Sequence, residues 1–345
     1  MADKKNNTVP LVSVVMPVYN AAAFLKPALD SVLSQTYNDF EFIIVNDGST
    51  DKSEEIILSY DDRRIKYHKR TNKGVAATLN EGLTLATGKY IMRHDADDIS
   101  LPTRLEEQVA LLEQNPEIAL CSYQVAFMTE RGKVARDFKQ PHDAFFGSDY
   151  AVRVRREQFN PYCPITHGTV LVRKEIMKEL GGYRKEFITG EDIDMWLRLI
   201  QKYHAVVLHK VLSYHRLSSN SATQVHGWKN IFFRNLAFEY FEQRELTGID
   251  DLQARKRIDV PQINPYMDSD DQDVDMAILY YHYPLAVNAR DYRQALAYIQ
   301  QHLGNITSYK VAKAIILPWL GTRIVKEAVT LKRQMRKVLG RISKK

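Results

Sequence analysis

The sequence predicts an α/β protein with a mostly parallel central sheet flanked by helices and a helical C-terminal extension. Three observations predict this class. Strand and helix patterns alternate over the first hundred residues, the strands are short apolar runs, and acidic or turn-forming residues follow them. Such alternation is typical of βαβ units. With 345 residues, of which 45% are hydrophobic, the chain has the length of about two domains and can bury a core.

Four apolar runs predict the strands of the first half. Leu11–Val18 is nearly continuous, as expected for a strand buried on both faces, and Phe40–Val45, Ile65–His68 and Tyr90–Met92 follow it. Apolar residues at helical spacing predict the intervening helices, which we place at Phe24–Leu33, between Gly74 and Gly88, and after Pro102.

The second half of the chain has weaker patterns. We interpret residues 130–165 as rich in loops, Thr169–Val172 as a strand, and Ile193–Ile200 as a helix. From about Gly227 the chain is expected to be helical, with an acidic, linker-like stretch at Asp268–Asp275.

These patterns predict a division into domains. We expect one catalytic domain with a nucleotide-binding half and an acceptor half, followed by a helical region that ends in a basic amphipathic tail. The boundaries are residues 1–225 for the domain, with halves at about 10–100 and 101–225, then 226–345 for the helical region and 306–345 for the tail.

The two cysteines and the N-terminal residues bear on the cellular setting. Cys121 and Cys163 cannot form a disulfide framework or a cysteine-built zinc site, and we expect buried, inert thiols. No apolar stretch near residue 1 resembles a signal peptide. We therefore expect a reducing, cytoplasmic setting.

Charge is distributed unevenly along the chain. Residues 310–345 carry eleven Lys or Arg against the single Glu327, about +10, so the rest of the chain carries about −4 of the net +6. A uniformly basic protein would indicate nucleic acid as a partner. An acidic body with a basic tail instead indicates a catalytic domain with a separate anchoring element, and no nucleic-acid partner.

Acidic residues follow the second and fourth predicted strands, where the ligand crevice of an open parallel sheet lies. These are Asp47, and the group Asp95, Asp97 and Asp98. Asp95 and Asp97, two residues apart in an extended segment, can present hard oxygen ligands for Mg²⁺ or Mn²⁺ shared with substrate phosphates. The alternative is a solvated turn that caps backbone amides.

Two common phosphate-binding motifs are absent from the sequence. No G-x-G-x-x-G turn follows the first strand, and there is no Walker lysine loop. Their absence argues against nicotinamide cofactors and against ATP hydrolysis of the Walker type. An acidic crevice repels phosphate unless a cation intervenes, so the pattern favours a metal-bridged diphosphate.

A set of motifs, in order and spacing, resembles the family 2 inverting glycosyltransferases over roughly residues 10–220. The motifs are Val12–Asn20, Val45–Asp51, Asn72–Gly74 with Asn80, Asp95–Asp98, Gly181–Tyr183, and Glu191–Asp192 with Trp196 and Arg198. The resemblance implies the glycosyltransferase A fold, the fold of nucleotide-diphospho-sugar transferases. It also implies a role in bacterial surface-polysaccharide synthesis.

The resemblance implies a role for each matching residue. Pro17, Val18 and Tyr19 would line the nucleotide-base pocket, and Asp47 would accept a hydrogen bond from the base. Asp95 would lie against the ribose, Asp97 would hold the metal, and Asp192 would be the general base. The weaker assignments are to the acceptor or donor-sugar pocket, and they are Asp98, His167, Gly168, Glu191 and Trp196.

Three of these assignments have alternatives. Asp192 lies at a predicted helix start, where it would cap amides and where the helix dipole would lower its pKa. His167 could simply be hydrogen-bonded locally, and His94 is expected to be structural. Where many relatives carry a metal-side histidine this chain has Ser218, which leaves the third metal contact open, with neighbouring His215 as a poor candidate for it.

The basic tail has the pattern of an amphipathic helix. Ile324, Ala328, Leu331 and Met335 recur at spacings of four and three, with Lys and Arg elsewhere around the helix. Such a helix can lie on an anionic membrane surface. The alternative is a helix packed on the protein's own body. Membrane attachment would place the protein on the inner face of the cell membrane and suit a lipid-linked oligosaccharide acceptor.

The sequence therefore predicts a metal-dependent, inverting glycosyltransferase. It would move a hexose or N-acetylhexosamine from a nucleotide diphosphate sugar, expected to be a UDP-sugar, to a glycan hydroxyl, forming a β-linkage. One alternative is a non-catalytic nucleotide-sugar-binding or scaffold subunit of a membrane-associated assembly complex. Another is a nucleotidyltransferase, although the chain lacks a glycine-rich, basic phosphate loop near its amino terminus.

Overall fold

The computed structural model describes residues 9–135, 150–159, 163–218, 226–263 and 291. The chain divides into two compact units. The first comprises Met1–Ala126, Lys139–His215 and Val225–Met267, and the second comprises Phe127–Phe138, Arg216–Gln224 and Asp268–Lys345.

Four parallel strands form one half of the sheet in the first unit. They are β1 (Val12–Val18), β2 (Phe40–Asn46), β3 (Ile65–Lys69) and β4 (Tyr90–Arg93), in the order β3-β2-β1-β4. All residues of β2 and β4 are buried, as continuous apolar runs predict. The four strands predicted from sequence are confirmed, as is the α/β class.

Helices connect these strands. They are α1 (Leu25–Leu33), α2 (Ser53–Leu58), α3 (Val75–Leu85) and, after β4, α4 (Arg104–Gln114). At the opposite end of the strands from the predicted crevice, buried Glu41 accepts hydrogen bonds from Ser13 Oγ at 2.5 Å and from the Thr87 N–H at 2.7 Å, and it also contacts Lys66. This carboxylate joins β1, β2, β3 and the turn before β4.

The other half of the sheet is antiparallel. It contains β5 (Ile99–Ser100), β6 (Ile118–Met128), β8 (Ala151–Arg153), β9 (Leu171–Arg173) and β10 (His204–Arg216). Strand β9 pairs with β4 and with β6, and β10 pairs with β5 and β8. The sequence patterns did not reveal β6 or β10. They placed a strand at Thr169–Val172, where a 3₁₀ turn at His167–Thr169 precedes the shorter β9.

Three more helices complete the first unit, namely α5 (Lys174–Glu179), α6 (Glu191–Ile200) and α7 (Trp228–Thr247). Helices α6 and α7 pack together around buried aromatic residues such as Trp196, Phe233 and Tyr240. No helix among the described residues is long and apolar enough to cross a membrane.

An ionic network supports α6. Asp194 on α6 pairs with Arg184 at 3.3 Å and with Arg198 at 2.9 Å, and Arg184 pairs with Asp250 at 2.7 Å. Asp250 also pairs with Arg244 of α7 at 2.5 Å, and the Asp194 and Asp250 side chains are fully buried. The network ties α6, α7 and the segment after α7 together.

The second unit is described over fewer residues. The last residues of β6 pair with β7 (Val134–Ala135), and buried Asp291 accepts a hydrogen bond from Thr129 Oγ1 at 3.0 Å. The predicted amphipathic tail at 306–345 and the acidic stretch at Asp268–Asp275 lie outside the described residues.

Candidate active site

The loops after β1 and β2 are joined by hydrogen bonds at the carboxyl edge of the sheet. Asn20 accepts a bond at Oδ1 from the Thr50 N–H at 2.8 Å, and its own N–H donates to Ser49 Oγ at 3.0 Å. Its φ of +49° is a left-handed conformation that asparagine tolerates better than most residues. The Ala22 N–H donates to Asp51 Oδ2 at 2.9 Å. The polar run after β2 thus fixes the loop after β1.

The three residues predicted to line a base pocket differ in exposure. Val18 is buried at the end of β1, Pro17 is half-buried, and Tyr19 is 54% exposed. An exposed aromatic ring beside a polar loop offers a face on which a planar base can stack. The base-pocket role of these residues stays a prediction.

Asp47 follows β2 and holds the loop that precedes α3. Its Oδ1 accepts a bond from the Lys73 N–H at 3.0 Å and lies 3.2 Å from Arg70 Nε, while Oδ2 accepts from the Gly74 N–H at 2.9 Å. The side chain is almost completely buried. Both oxygens therefore already organise this loop, and any bond to a base would add to these contacts.

The acidic turn, residues Asp95–Asp98, follows β4. Asp95 contacts the guanidinium of Arg93, and Asp98 is buried and lies 2.8 Å from His215 Nδ1. Burial and the neighbouring Asp98 carboxylate raise the pKa of Asp97 above its ordinary value. The turn is therefore a crowded set of carboxylates that a cation would stabilise.

His215 comes to this turn from β10. Burial is the largest single effect and lowers its pKa, but the charge of Asp98, the hydrogen bond with Asp98 and the charge of Asp97 together outweigh it and leave the pKa above the ordinary value. Ser218, which occupies the position of the family histidine, is buried two residues beyond the end of β10. The structure thus brings His215 to the acidic turn, while its replacement of the family histidine as a metal contact stays a prediction.

Gly168 packs directly against the acidic turn. A Cβ at this position would lie 2.5 Å from Asp95 Oδ2, and 3.3 Å from both Arg93 Nη1 and Asp98 Oδ2. Real Cβ atoms do not approach other atoms as closely as 2.5 Å. The acidic turn can pack this closely against residue 168 because glycine has no side chain.

Glu191 and Asp192 are the first two residues of α6, after Gly190 with φ +69°. Asp192 Oδ1 accepts a hydrogen bond from the Ile193 N–H at 2.8 Å. Burial outweighs this bond and the charge of Arg93, so the pKa of Asp192 is raised. The expectation that the helix start would lower the pKa of Asp192 is therefore wrong, because desolvation is the larger effect. Burial and Asp192 together also raise the pKa of Glu191.

An aromatic cluster adjoins Glu191. His167 Nε2 lies 3.0 Å from Tyr183 Oη, and His167 Nδ1 lies 3.8 Å from Glu191 Oε1. The His167 ring also meets Trp196 edge to face, with centroids 5.8 Å apart. Burial, together with the charge of Arg93, holds the pKa of His167 well below its ordinary value, so the imidazole is neutral. The local hydrogen bond that the sequence analysis gave as the alternative for His167 is therefore present, and Tyr183 is its partner.

Two buried arginines lie beneath these acidic groups, and the sequence analysis did not identify them. Arg93 ends β4, and Arg104 on α4 donates from Nη2 to the Arg93 carbonyl at 2.8 Å. Their side chains are among the buried charged groups of the unit. The sequence signal that could have identified Arg93 is an arginine at the last position of a completely buried strand.

Three further titratable groups near the site, one histidine and two cysteines, are neutral. His94 is fully buried, and burial lowers its pKa to about 3, as a structural role predicts. Burial raises the pKa of the Cys121 thiol to about 12 and that of Cys163 well above its ordinary value. Cys121 is buried, as expected, whereas Cys163 is only half-buried; both pKa values keep the thiols protonated at neutral pH.

The donor set at the acidic turn suits a divalent cation. Among the described residues, no group of three or more His, Cys, Asp or Glu side chains forms a complete metal site. Mg²⁺ and similar ions need only one or two protein carboxylates when substrate phosphates supply the other oxygens. The desolvated Asp97 beside Asp98 provides hard oxygen ligands whose mutual repulsion a cation would relieve.

Comparison with known proteins gives a family match. The model of Glycosyl transferase family 2 matches residues 13–181. An uncharacterised glycosyltransferase of Methanocaldococcus jannaschii, MJ1057, is 33% identical over 256 residues, which cover 66% of this chain and 86% of the relative. The putative glycosyltransferase EpsE of Bacillus subtilis is 35% identical over 206 residues, which cover 57% of this chain and 69% of EpsE.

Solved structures share the fold at low identity. TarS residues 1–349 of S. aureus, in complex with UDP, is 18% identical with a TM-score of 0.50 and covers 86% of this chain and 92% of its own. The mannosyltransferase PcManGT of Pyrobaculum calidifontis, in complex with GDP-Man and Mn²⁺, is 18% identical with a TM-score of 0.51 and covers 94% and 84%. The glycosyltransferase A fold expected from the sequence is thereby confirmed.

Proposed function

This chain belongs to glycosyltransferase family 2, and from that premise we propose that it is an inverting, metal-dependent transferase of a hexose or N-acetylhexosamine. It is a glycosyltransferase that uses a nucleotide-sugar donor. In our proposal the donor nucleotide is UDP and the acceptor is a hydroxyl of a glycan or lipid-linked oligosaccharide. The observation that carries the proposal is the buried charge cluster in which Asp192 and the acidic turn share Arg93 as a counter-charge.

Asp192 is the proposed general base. It would take the proton from the acceptor hydroxyl while that oxygen forms a bond to the anomeric carbon and the bond from this carbon to the diphosphate breaks. Attack on an α-linked donor from the opposite face gives a β-linked product. A base with a raised pKa is better matched to neutral pH than an ordinary aspartate.

The donor side is proposed to lie along the carboxyl edge of the parallel strands. Tyr19 and the Asp47-held loop would bind the base, and Asp95 would bind the ribose. Asp97 would hold a divalent metal, Mn²⁺ or Mg²⁺, which supplies charge neutralisation to the leaving diphosphate when bound. TarS, which shares the fold, is known with UDP and with UDP-GlcNAc, which supports the choice of UDP.

The aromatic cluster beside Glu191 is the proposed wall of the sugar pockets. A neutral His167 cannot offer a positive charge to the diphosphate, so its contribution would be hydrogen bonding and shape. Trp196 is completely buried and would support this wall from behind. Asp98 is engaged with His215, so we place it behind the metal site and not in contact with sugar.

Attachment of the tail to an anionic membrane surface is a further part of the proposal. It rests on the eleven basic residues of 310–345 and the apolar spacing of the tail. Full-length protein should float with anionic vesicles and less so with neutral ones. Equal flotation with both compositions would contradict the electrostatic attachment. The proposed context is bacterial surface-polysaccharide synthesis on the inner face of the cell membrane.

The test of the reaction is release of nucleoside diphosphate from a panel of UDP- and GDP-sugars, with Mn²⁺, with Mg²⁺ and with chelator. We expect slow hydrolysis of one UDP-sugar that needs the metal and is lost in Asp97→Asn and Asp192→Asn. Asp61→Asn is the matched control, because Asp61 is exposed in the loop before β3. Turnover that survives in Asp192→Asn would contradict its role as the base.

A further inference from the structure

The backbone of Arg93 is held by hydrogen bonds on both sides, and its side chain lies buried at the candidate site. Its N–H donates to the Val170 carbonyl at 3.1 Å, and its own carbonyl accepts from Arg104 Nη2 at 2.8 Å. The side chain is only 7% exposed. A buried guanidinium is costly unless anionic groups surround it, so its surroundings indicate its purpose.

The acidic turn lies on one side of this guanidinium. Arg93 contacts the Asp95 carboxylate, and Asp98 is a further anion that favours its charged form. Gly168 makes this approach possible, since a Cβ there would lie 3.3 Å from Arg93 Nη1. The acidic turn and the turn that contains Gly168 thus both pack against the Arg93 side chain.

The start of α6 is connected to the surroundings of Arg93 through His167, whose Nδ1 lies 3.8 Å from Glu191 Oε1 and whose chain neighbour Gly168 packs against Arg93 Nη1. Glu191 and Asp192 both favour the charged form of Arg93, and Arg93 in turn lowers the pKa of both carboxyls against the larger effect of burial. The charge of Arg93 also lowers the pKa of Tyr183 and of His167, although burial is the largest effect on each. Arg93 is thus a cation common to the proposed donor side and the proposed base.

We propose that Arg93 is a positioning residue for the transfer reaction, whose one buried charge holds the acidic turn and the start of α6 in register with each other. The inference rests on the proposed function, because it assigns the two sides to donor and base. Arg93 needs no contact with the substrate in this role. The planar, five-donor guanidinium suits a site with anions on more than one side better than an ammonium does.

The first test measures thermal unfolding of the full chain without any donor, for wild type and Arg93→Met. Without the cation, the raised pKa values of Glu191 and Asp192 rise further. A carboxyl whose folded pKa is raised loses stability as the pH increases through that pKa, so the deficit must grow with pH. We expect a Tm lower by about 5 °C at pH 8 and by about 2 °C at pH 5.5. An equal deficit at both pH values would overturn the proposal.

Two further variants separate charge from packing. Arg93→Lys keeps the charge and should recover at least half of the Tm deficit at pH 8. In an Asp192→Asn background, Arg93→Met should cost less than in wild type, because one of the anions that it serves is gone. A Lys variant as unstable as Met, or an identical cost in both backgrounds, would show a purely structural role.

The activity test uses the donor that wild type hydrolyses. Arg93→Met should lower kcat more than it raises the donor KM, and it should move the acidic limb of the kcat profile upward by about 1 pH unit. The groups that face Asp192 in this titration are Glu191, Arg93, the Cys163 thiol and the Tyr183 hydroxyl. An unmoved limb would overturn the proposal. Absence of turnover in wild type would instead contradict the proposed function. The thermal unfolding measurements would then decide by themselves whether Arg93 has the positioning role.

Discussion

Gly168→Ala is a small substitution with a large expected effect on the acidic turn. The new methyl carbon would lie 2.5 Å from Asp95 Oδ2, where ordinary van der Waals contact begins near 3.4 Å. The φ of Gly168 lies outside the left-handed region, so the backbone itself accepts alanine. The substitution therefore acts through this contact, and the carboxylate or the 3₁₀ turn must move by roughly 1 Å.

The size of the effect follows from what holds the carboxylate. Asp95 is in contact with the buried guanidinium of Arg93, so it cannot swing away without weakening that ion pair. Overpacking of this kind costs about 1–3 kcal/mol of folding free energy. A misplacement of about 1 Å in a reacting constellation can lower the rate about 100-fold. We expect kcat/KM for the donor to fall by about 10- to 100-fold.

The assay combines steady-state nucleoside diphosphate release with thermal unfolding. Gly181→Ala is the matched control, since Gly181 has φ +79° and no atom within 4 Å of a new Cβ. It should cost about 1–2 kcal/mol through backbone strain. Its kcat/KM should stay near wild type at a temperature well below both transitions. The pair thus separates loss of stability from distortion of the turn.

A double-mutant cycle tests the cause. In an Asp95→Ala background the clashing oxygen is absent, so Gly168→Ala should cost less than half of what it costs in wild type. If Gly168→Ala destabilised both backgrounds equally, or if kcat/KM stayed at the wild-type level, contact with Asp95 would not be the reason for glycine at 168.

Three other predictions concern the groups around the site and the sheet. The kcat of wild type should fall as the pH drops through the raised pKa of Asp192, since protonation removes the base; a profile flat from pH 8 to pH 4 would contradict this assignment. Glu41→Gln should lower the free energy of unfolding by about 1–3 kcal/mol at pH 7. Burial raises the pKa of Glu41, but hydrogen bonds from Lys66, Ser13 and Thr87 lower it to about 2. In urea titrations, the difference in free energy of unfolding between wild type and Glu41→Gln should therefore shrink as the pH falls from 4.5 toward 2. Asp250→Asn should cost about 3–5 kcal/mol, because it leaves two buried guanidinium groups short of a counter-charge, and a loss below 1 kcal/mol in the same titration would argue against the network.

The parallel half of the sheet was predictable because each strand is an apolar run that ends in a turn signal. The run Phe40–Asn46 is buried along its whole length, so its sequence carries no competing pattern. Strand β10 was missed because its thirteen residues include exposed His209 and Lys210 in the middle of the strand. A strand that pairs with different neighbours along its length has no single alternation for a sequence pattern to report.

The site was predictable where it depends on the ends of strands. Asp47 and the acidic turn follow β2 and β4 at the carboxyl edge, which is a consequence of parallel topology. The approach of His215 to Asp98 depends on where β10 pairs with β5, and the pKa of Asp192 depends on burial by other segments. Neither quantity is a property of the local sequence. The helix dipole argument for Asp192 considered only local groups, and it therefore had the wrong sign.

The charges of the site are the reason why our proposals give it both a divalent cation and a buried arginine. Five carboxyl groups lie in the acidic turn and at the start of α6, against the buried charges of Arg93 and Arg104 and the Asp98-paired His215. A nucleotide diphosphate adds further negative charge, which this arrangement would repel. In our proposals the buried Arg93 would fix the positions of the carboxyls, whereas a metal at Asp97 would neutralise the diphosphate. The two cations would thus have different roles, since Arg93 would set the geometry before the donor binds and the metal would allow the negatively charged donor to bind.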